Sequence, residues 1–209
     1  MVSASDKHPW EVIYARDGRV FNELLPAFHE AAQKFNEHLC SRILDLGCGN
    51  GRHVIGFSKL GFEVVGFDIS PSGLDLTDSW LQEENLPSAL IRGDYRHGLP
   101  FKDNSFQAIF STQVIHHAVL DEIRYAIKEI WRVLQEDGLA FITVAGKTHS
   151  TSSYEEIEPG TYIPLDGDEK GLPHHIFSKD EIRIEFSNFQ ILEITSRAEG
   201  RVTAIWIKK

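Results

Sequence analysis

The stretch ILDLGCGNGR, residues 43–52, passes from a short apolar run into a glycine cluster. Residues 51–60 follow with the apolar spacing of a helix, and Gly61 marks its predicted end. Glycines accept positive φ and let a ligand approach the backbone closely. A strand, a glycine turn and a helix in this order therefore predict a ligand site at the carboxyl end of the strand.

The residues around this stretch alternate between short β-rich runs and amphipathic helical runs. That alternation is typical of a parallel sheet covered by helices. Ser70 is the predicted N-cap of a helix that Pro71 opens, because both residue types favour helix starts. The predicted strands span 42–46, 62–67, 89–92, 106–111 and 139–144, and the predicted helices between them span 51–60, 71–84 and 120–135.

One domain, residues 1–209, is predicted from the chain length, and it has four segments. Residues 1–39 are an N-terminal segment, helical from residue 9 and interrupted near Pro26. Residues 40–146 form the ligand-binding core. Residues 147–188 are an insert that is irregular up to 177 and ends in a short helix at 179–187. Residues 189–208 form an antiparallel hairpin.

Composition excludes several classes of function. The chain has 21 Lys and Arg against 31 Asp and Glu, so its formal net charge is 21 − 31 = −10. Binding to nucleic acid or to an anionic membrane surface needs clustered basic residues, and the sequence has no such cluster. No apolar run approaches the about 18 residues of a membrane span, and no signal peptide is recognisable. We therefore expect a cytoplasmic protein.

The two cysteines, Cys40 and Cys48, are too few for a disulfide framework, and their spacing fits no zinc motif. We expect two free thiols in a reducing compartment. No metal-ligand set is predicted.

The charge of the glycine loop indicates which ligand it holds. Gly47, Gly49 and Gly51 give G-x-G-x-G, whereas the dinucleotide fingerprint G-x-G-x-x-G would need its third glycine at Arg52. Asp45 precedes the first glycine by two residues, where it would repel a pyrophosphate and attract ammonium and sulfonium groups. The loop therefore favours a cationic nucleoside over a dinucleotide.

Further acids end the next two predicted strands. Asp68 stands 21 residues after Gly47, where an acid can accept both ribose hydroxyls. Its alternative role is to cap the following helix. Asp94 follows the third strand and can accept from the exocyclic amine of adenine, and Tyr95 can cover the ring face.

Together these residues resemble the class I S-adenosylmethionine-dependent methyltransferases, small-molecule-type subgroup. Residues 43–70, 91–117, 129–144 and the closing hairpin carry the match, which covers roughly residues 40–209. It implies an α/β, Rossmann-like single-domain three-layer sandwich, with a mostly parallel seven-stranded sheet whose last strand is antiparallel. It also implies an enzyme that moves a methyl group from S-adenosylmethionine to a small-molecule acceptor by in-line displacement, leaving S-adenosylhomocysteine.

The resemblance further implies cofactor contacts at matching positions of this sequence. The glycine loop surrounds the methionine part, Asp68 binds the ribose, and Ile69 packs on the adenine. Residues 111–113 contribute backbone near the methionine amine. The full predicted set is Asp45, Gly47, Cys48, Gly49, Asp68, Ile69, Asp94, Tyr95, Ser111, Gln113 and Tyr14.

Tyr14 belongs to this set through a separate hypothesis. Trp10, Tyr14 and Phe21 are aromatic residues of the N-terminal segment, which we expect to fold over the cofactor as a lid. The alternative is that its helices simply pack on the sheet.

Histidines are the candidates on the acceptor side, because a base is needed when the acceptor must lose a proton. His116 and His117 follow the fourth strand, and His174 precedes His175 in the insert. Their alternative roles are packing and hydrogen bonding; metal binding is the less favoured alternative.

Several functions stay open at this point. An Asn/Asp-Pro-Pro-aromatic run, typical of methylation at exocyclic base amines or glutamine, is replaced by STQV at 111–114. The acceptor is therefore expected to be a small molecule, with no nucleic acid or membrane partner, and the protein a monomer or homodimer. Alternatives are an NAD(P)-dependent oxidoreductase and a non-catalytic S-adenosylmethionine-binding module.

Overall fold

The computed structural model describes residues 7–146 and 153–209. The predictions made for residues 1–6 of the N-terminal segment and 147–152 of the insert lie outside the described residues. The helices are α1 (Pro9–Asp17), α2 (Phe28–Glu37), α3 (Arg52–Lys59), α4 (Pro71–Glu83), α5 (Leu120–Val133) and α6 (Lys179–Glu185). The strands are β1 (Arg42–Leu46), β2 (Glu63–Asp68), β3 (Leu90–Arg92), β4 (Phe106–Thr112), β5 (Leu134–Ala145), β6 (Tyr154–Glu158), β7 (Thr161–Pro164), β8 (His174–His175), β9 (Gln190–Arg197) and β10 (Val202–Lys208).

A seven-stranded sheet has the order β3-β2-β1-β4-β5-β10-β9. The pairs β1–β2, β2–β3 and β4–β5 are parallel, whereas β10 runs antiparallel to both β5 and β9. This confirms the predicted α/β class, the mostly parallel seven-stranded sheet and the antiparallel last strand. The hairpin predicted at the end of the chain is the β9–β10 pair.

The chain divides into two compact units, Met1–Asp94 and Tyr95–Lys209. The core of the first unit is aromatic: the rings of Phe28 and Phe57 lie 4.6 Å apart, and Phe35 lies 5.9 Å from Phe57. All three side chains are fully buried, so α2 and α3 pack through them. Burial of such rings stabilises a fold by about 1.5–3 kcal/mol each.

The core of the second unit lies on its four sheet strands. The Phe141 ring of β5 lies 5.3 Å from Phe110 of β4 and 4.9 Å from Trp206 of β10. The helix α5 buries one apolar face, as its sequence periodicity predicted; the face comprises Ile123, Ala126, Ile127, Ile130 and Val133.

The start of α4 is confirmed in detail. Pro71 is its first residue, and the Ser70 hydroxyl accepts from Gly73 N at 2.9 Å. Cys40 and Cys48 are both buried, and neither forms a disulfide in the part of the chain that the structure describes. In the ranges 7–146 and 153–209 no helix is long and apolar enough to cross a bilayer.

Three predicted boundaries were wrong. The interruption of the N-terminal helices is wider than expected, because residues 18–27 separate α1 from α2. The helix α5 ends at Val133, and β5 starts at Leu134 rather than at 139. There Leu134 pairs with Phe106 and Leu139 with Ala108, so residues 135–138 bulge out of the ladder. The turn-like Asp137-Gly138 masked this early start of the strand.

The insert is also more regular than predicted. β6, β7 and β8 form a separate antiparallel sheet, so His174 and His175 are strand residues and not part of an irregular loop. Pro159-Gly160 lies between β6 and β7, and Gly160 has φ +80°. A Pro-Gly turn is a hairpin signal that the sequence contained. The glutamates of β6 obscured it, because they interrupt the apolar alternation that predicts a strand.

Candidate functional site

The glycine loop of the first unit joins β1 to α3 by a tight turn. Gly47 N donates to Phe67 O at 2.7 Å, and Thr77 Oγ1 donates to Gly49 O at 2.9 Å. Gly49 has φ +57°, and a Cβ at this position would collide with the Tyr14 hydroxyl. Glycine is therefore needed at 49 both for the backbone conformation and for the close approach of Tyr14.

Asp68 connects this loop to the next helix. Its Oδ2 accepts from Gly49 N at 2.7 Å and its Oδ1 from Ser70 N at 2.8 Å. Burial raises the pKa of Asp68, and these backbone hydrogen bonds oppose that shift. Each carboxylate oxygen has a second lone pair, so Asp68 can still accept a hydroxyl of a ligand. Ser70 serves as the N-cap side chain of α4, which removes the alternative that Asp68 is that cap.

Asp45 is a second buried carboxylate beside the loop. Burial raises its pKa to about 7; the charge of Arg52 opposes the shift and the charge of Asp68 adds to it. In the described part of the chain its Oδ2 is buried and has no hydrogen-bond partner. A buried carboxylate oxygen without a donor is costly, so this position fits a cationic or hydrogen-bond-donating ligand.

The N-terminal segment reaches the same loop. Tyr14 is buried against Gly49, and burial together with the Asp68 charge raises the pKa of its phenol. The Asn50 side chain and the Phe21 backbone exchange hydrogen bonds of 2.6 and 3.3 Å. The contact of Tyr14 with a cofactor remains a prediction, but the segment that carries it lies on the glycine loop.

Glu11 is the residue of this region that sequence reasoning missed. It accepts from Ser70 Oγ at 2.6 Å, from Ser72 N at 3.0 Å and from Ser72 Oγ at 2.8 Å. Burial acts to raise the pKa of Glu11, but these hydrogen bonds outweigh it, and the pKa lies below its ordinary value. The partners follow Glu11 by about 60 residues, so no local pattern indicated the contact.

The remaining predicted cofactor residues are placed as follows. Ile69 follows β2 and Asp94 follows β3, and both are half-buried. In the second unit, the Tyr95 hydroxyl donates to the carbonyls of Val114 and His117 at 3.3 and 3.2 Å. The structure thus gathers Asp45, Gly47, Cys48, Gly49, Asp68 and Tyr14 around one loop of the first unit.

The end of β4 differs slightly from its prediction. The strand runs to Thr112, one residue beyond its predicted end at Ser111, and Ser111 is buried. Gln113 follows with φ +58°, a left-handed conformation that costs a non-glycine residue about 1–2 kcal/mol. Its N–H donates to Thr143 O at 3.0 Å, which holds the turn. Strained residues of this kind concentrate at functional sites.

The three candidate histidines come together in the second unit. The rings of His116 and His117 lie 4.0 Å apart, and those of His117 and His174 lie 4.7 Å apart. Burial, followed by the charges of His174 and His175, lowers the pKa of His116 to about 3. His116 is therefore a neutral and weakly basic imidazole at pH 7, which counts against it as a general base.

His175 differs from this group. Its Nδ1 lies 2.7 Å from Thr161 Oγ1 and its Nε2 lies 3.0 Å from Glu181 Oε1. Both ring nitrogens are engaged and the side chain is fully buried, so His175 holds the small sheet against α6.

Comparison with known proteins agrees with this geometry. Residues 44–142 match a family model described as a methyltransferase domain. An uncharacterized methyltransferase of Bacillus subtilis, YcgJ, is 32% identical over 125 residues, which cover 59% of this chain and 47% of that protein. The chain spans about half the length of the curated relatives it matches.

Two solved structures share the fold. The PH0226 protein from Pyrococcus horikoshii has a TM-score of 0.73 at 18% identity and covers 94% of this chain and 98% of its own. A Burkholderia thailandensis 1,6-didemethyltoxoflavin-N1-methyltransferase, solved with 1,6-didemethyltoxoflavin and S-adenosylhomocysteine, has a TM-score of 0.70 at 17% identity over 95% of this chain and 84% of that one. Residues 44–142 therefore match a methyltransferase domain, and the chain shares its fold with a methyltransferase that was solved with S-adenosylhomocysteine.

Proposed function

We propose that the chain binds S-adenosylmethionine at the glycine loop of its first unit and transfers the methyl group to a small-molecule acceptor. One observation carries the proposal: two buried carboxylates, Asp45 and Asp68, flank the loop, and Asp45 keeps an oxygen without a donor. S-adenosylmethionine has the complementary chemistry, since it brings ammonium and sulfonium charges and two ribose hydroxyls.

In this proposal the residues of the first unit bind and orient the cofactor. Asp68 accepts a ribose hydroxyl with the lone pairs that Gly49 N and Ser70 N leave open. Asp45 offers a negative charge that the cofactor cation neutralises, while Ile69 and Asp94 serve the adenine. Tyr14 covers Gly49 from the N-terminal segment and limits the access of water to the loop.

The reaction mainly requires that the methyl donor and the acceptor are aligned. The sulfonium supplies an activated methyl group, so the protein contributes by holding donor and acceptor in line, which is worth about 7–11 kcal/mol. A proton must leave only if the acceptor is an alcohol, a thiol or a protonated amine. We include in this proposal that Tyr95 covers the adenine ring and that Ser111 and Gln113 lie near the methionine amine. When the acceptor must lose a proton, His117 or His174 accepts it.

A nicotinamide-dependent oxidoreductase is the second candidate, and the loop disfavours it. A pyrophosphate at the glycine turn would face two buried carboxylates, and Coulomb repulsion between such charges is strong where water is excluded. In the described part of the loop, Arg52 is the one cation whose charge acts on Asp45. Its guanidinium also donates to the Glu23 carbonyl at 3.2 Å, so it is not fully available to a pyrophosphate.

Calorimetry with S-adenosylmethionine, S-adenosylhomocysteine and NAD tests the proposal. We expect the first two to bind and NAD not to bind. Asp68→Asn should weaken both by about tenfold or more, because a hydrogen bond to a charged group contributes about 1.5–3 kcal/mol. Asp75→Asn, at an exposed position of α4, is the matched control and should bind as the wild type does.

Binding of NAD without either adenosyl compound would refute the proposal. Tight cofactor binding without methyl transfer to any member of a broad set of small alcohols, amines and thiols would instead favour a non-catalytic binding module.

A further inference from the structure

The second unit contains a cluster of three histidines, and the proposed methyl transfer does not require three of them. The cluster comprises His116, His117 and His174, whose possible ligand atoms all lie within 4.8 Å of one another. The side chains are buried or nearly so; that of His174 is 15% exposed. Three imidazoles packed this closely, away from bulk water, are an unusual use of polar side chains.

Three hydrogen bonds to backbone carbonyls fix the residues of the cluster. His175 N donates to His116 O at 2.8 Å, which joins strand β8 to the turn that follows β4. The Tyr95 hydroxyl donates to His117 O, and His117 N donates to Val114 O at 3.0 Å. The three imidazoles are therefore placed by tertiary structure rather than by chance proximity of flexible side chains.

His116 is the member whose state is hardest to explain by packing. It is 2% exposed, and its Nδ1 is buried with no hydrogen-bond partner among residues 7–146 and 153–209. Buried polar nitrogens are nearly always satisfied, and an unsatisfied one needs an explanation such as an ion.

A carboxylate completes the set. The oxygens of Glu169 lie 3.8 Å from His117 Nε2 and 3.6 Å from His174 Nε2. These separations are close to the roughly 3.4 Å that tetrahedral geometry requires between ligand atoms about 2.1 Å from a zinc ion. The histidine nitrogens lie within 4.8 Å of one another, so binding would require them to approach by up to about 1.4 Å through rotation of the rings.

We propose that His116, His117 and His174, with Glu169 as the fourth ligand, bind one divalent transition-metal ion of the zinc type. Imidazole nitrogen and carboxylate oxygen are ligands that zinc accepts, and three histidines exclude calcium and magnesium as the preferred ions. The ion would tie strand β8 and the residues before it to the turn after β4. The inference goes beyond the proposed function, and a bound ion would take the place of the proton-accepting role considered there for His117 or His174.

The test uses the full chain after dialysis against a chelator. Zn²⁺ is titrated in competition with a chromophoric chelator, and Co²⁺ is used as an optical probe of coordination geometry. We expect one ion per chain, tetrahedral Co²⁺ absorption and a thermal midpoint that rises with Zn²⁺. His117→Gln and His174→Gln should each weaken binding by at least about tenfold, and Glu169→Gln should weaken it and change the Co²⁺ spectrum.

His38→Gln is the control, because His38 is an exposed histidine at the end of α2. It should bind Zn²⁺ as the wild type does. Circular dichroism in the presence of chelator establishes that each variant is folded before its affinity is compared, and the partly exposed His174 is the site least prone to misfolding. Absence of a one-to-one complex, or binding that His117→Gln and His174→Gln leave unchanged, would overturn the proposal.

Discussion

Among single residues, Asp45 carries the clearest link between burial and pH. Its pKa is raised from 3.8 to about 7 because the folded protein excludes water from the carboxylate. The folded state therefore binds this proton more tightly than the unfolded chain does. The contribution of Asp45 to stability is complete below pH 3.8 and is lost as the pH rises to about 7, at about 1.4 kcal/mol per pH unit.

Asp45→Asn removes this titration. Relative to the wild type, the unfolding free energy of the variant should increase steadily between pH 5 and pH 7 and level off above, by a total of about 3 kcal/mol. Urea unfolding at several pH values measures the difference. Asp75→Asn should show no such trend. A difference that does not depend on pH would mean that Asp45 is not the titrating group. The same variant should lose affinity for S-adenosylmethionine, since the cofactor cation loses its counter-charge.

The contact between Gly49 and Tyr14 gives a second prediction at this scale. In Gly49→Ala the new methyl group would meet the Tyr14 hydroxyl at a φ of +57°, so we expect a loss of about 2–4 kcal/mol from overpacking and left-handed strain. Tyr14→Phe removes the clashing oxygen. The double variant should therefore lose less unfolding free energy than the two single variants lose together. We expect the difference, which is the coupling energy, to be about 0.5–3 kcal/mol.

Chemical denaturation of the four proteins completes this double-mutant cycle. Gly61→Ala provides a matched comparison, because Gly61 also has positive φ but a Cβ there meets no atom within 4 Å. Its cost should reflect backbone strain alone and should not respond to Tyr14→Phe. Strict additivity of Gly49→Ala and Tyr14→Phe would show that the tyrosine does not press on the loop.

Among the elements, α1 is attached to α4 by hydrogen bonds to Glu11. Three hydrogen bonds from Ser70 and Ser72 converge on its carboxylate at the N-terminal end of α4, where a negative charge also complements the helix dipole. Glu11→Ala should lower the unfolding free energy by about 1–3 kcal/mol. It should also speed amide hydrogen exchange in α1.

The control for this variant is Glu23→Ala, an exposed position of the same N-terminal segment. It should leave exchange in α1 unchanged. If Tyr14 covers the cofactor, Glu11→Ala should weaken S-adenosylhomocysteine binding as well. Unchanged exchange in α1 would indicate that the packing of Tyr14 against Gly49 and Gly73 suffices to hold the helix.

Elements and contacts that depend on neighbouring residues could be predicted from the sequence, whereas those that depend on tertiary packing could not. The acids that end strands and the Ser70-Pro71 helix start were predictable, because a few neighbouring residues determine each of them. The contact of Glu11 with α4 and the approach of Glu169 to the histidines were not, because residues far apart in the chain meet only through tertiary packing. The sheet β6–β7–β8 was missed for a related reason: its short strands gain their order from pairing and not from an apolar alternation.

For the whole molecule, two of the 31 acidic residues, Asp45 and Asp68, are buried at the ends of β1 and β2, and we expect them to make cofactor binding and stability interdependent. A ligand that binds the folded state at 100 times its dissociation constant adds about 2.7 kcal/mol to the unfolding free energy. In a chain of this size that corresponds to a rise of about 5–10 °C in the thermal midpoint.

We predict that the wild-type chain unfolds in one cooperative transition and that S-adenosylmethionine shifts the whole transition upward. The chain length of 209 residues, which is in the range of a single domain, gives the reason to expect a single transition. Differential scanning calorimetry with and without cofactor measures it, and Asp68→Asn should abolish most of the shift while Asp75→Asn retains it. Two transitions, with the cofactor moving one of them and leaving the other in place, would instead show that Met1–Asp94 and Tyr95–Lys209 unfold as separate domains.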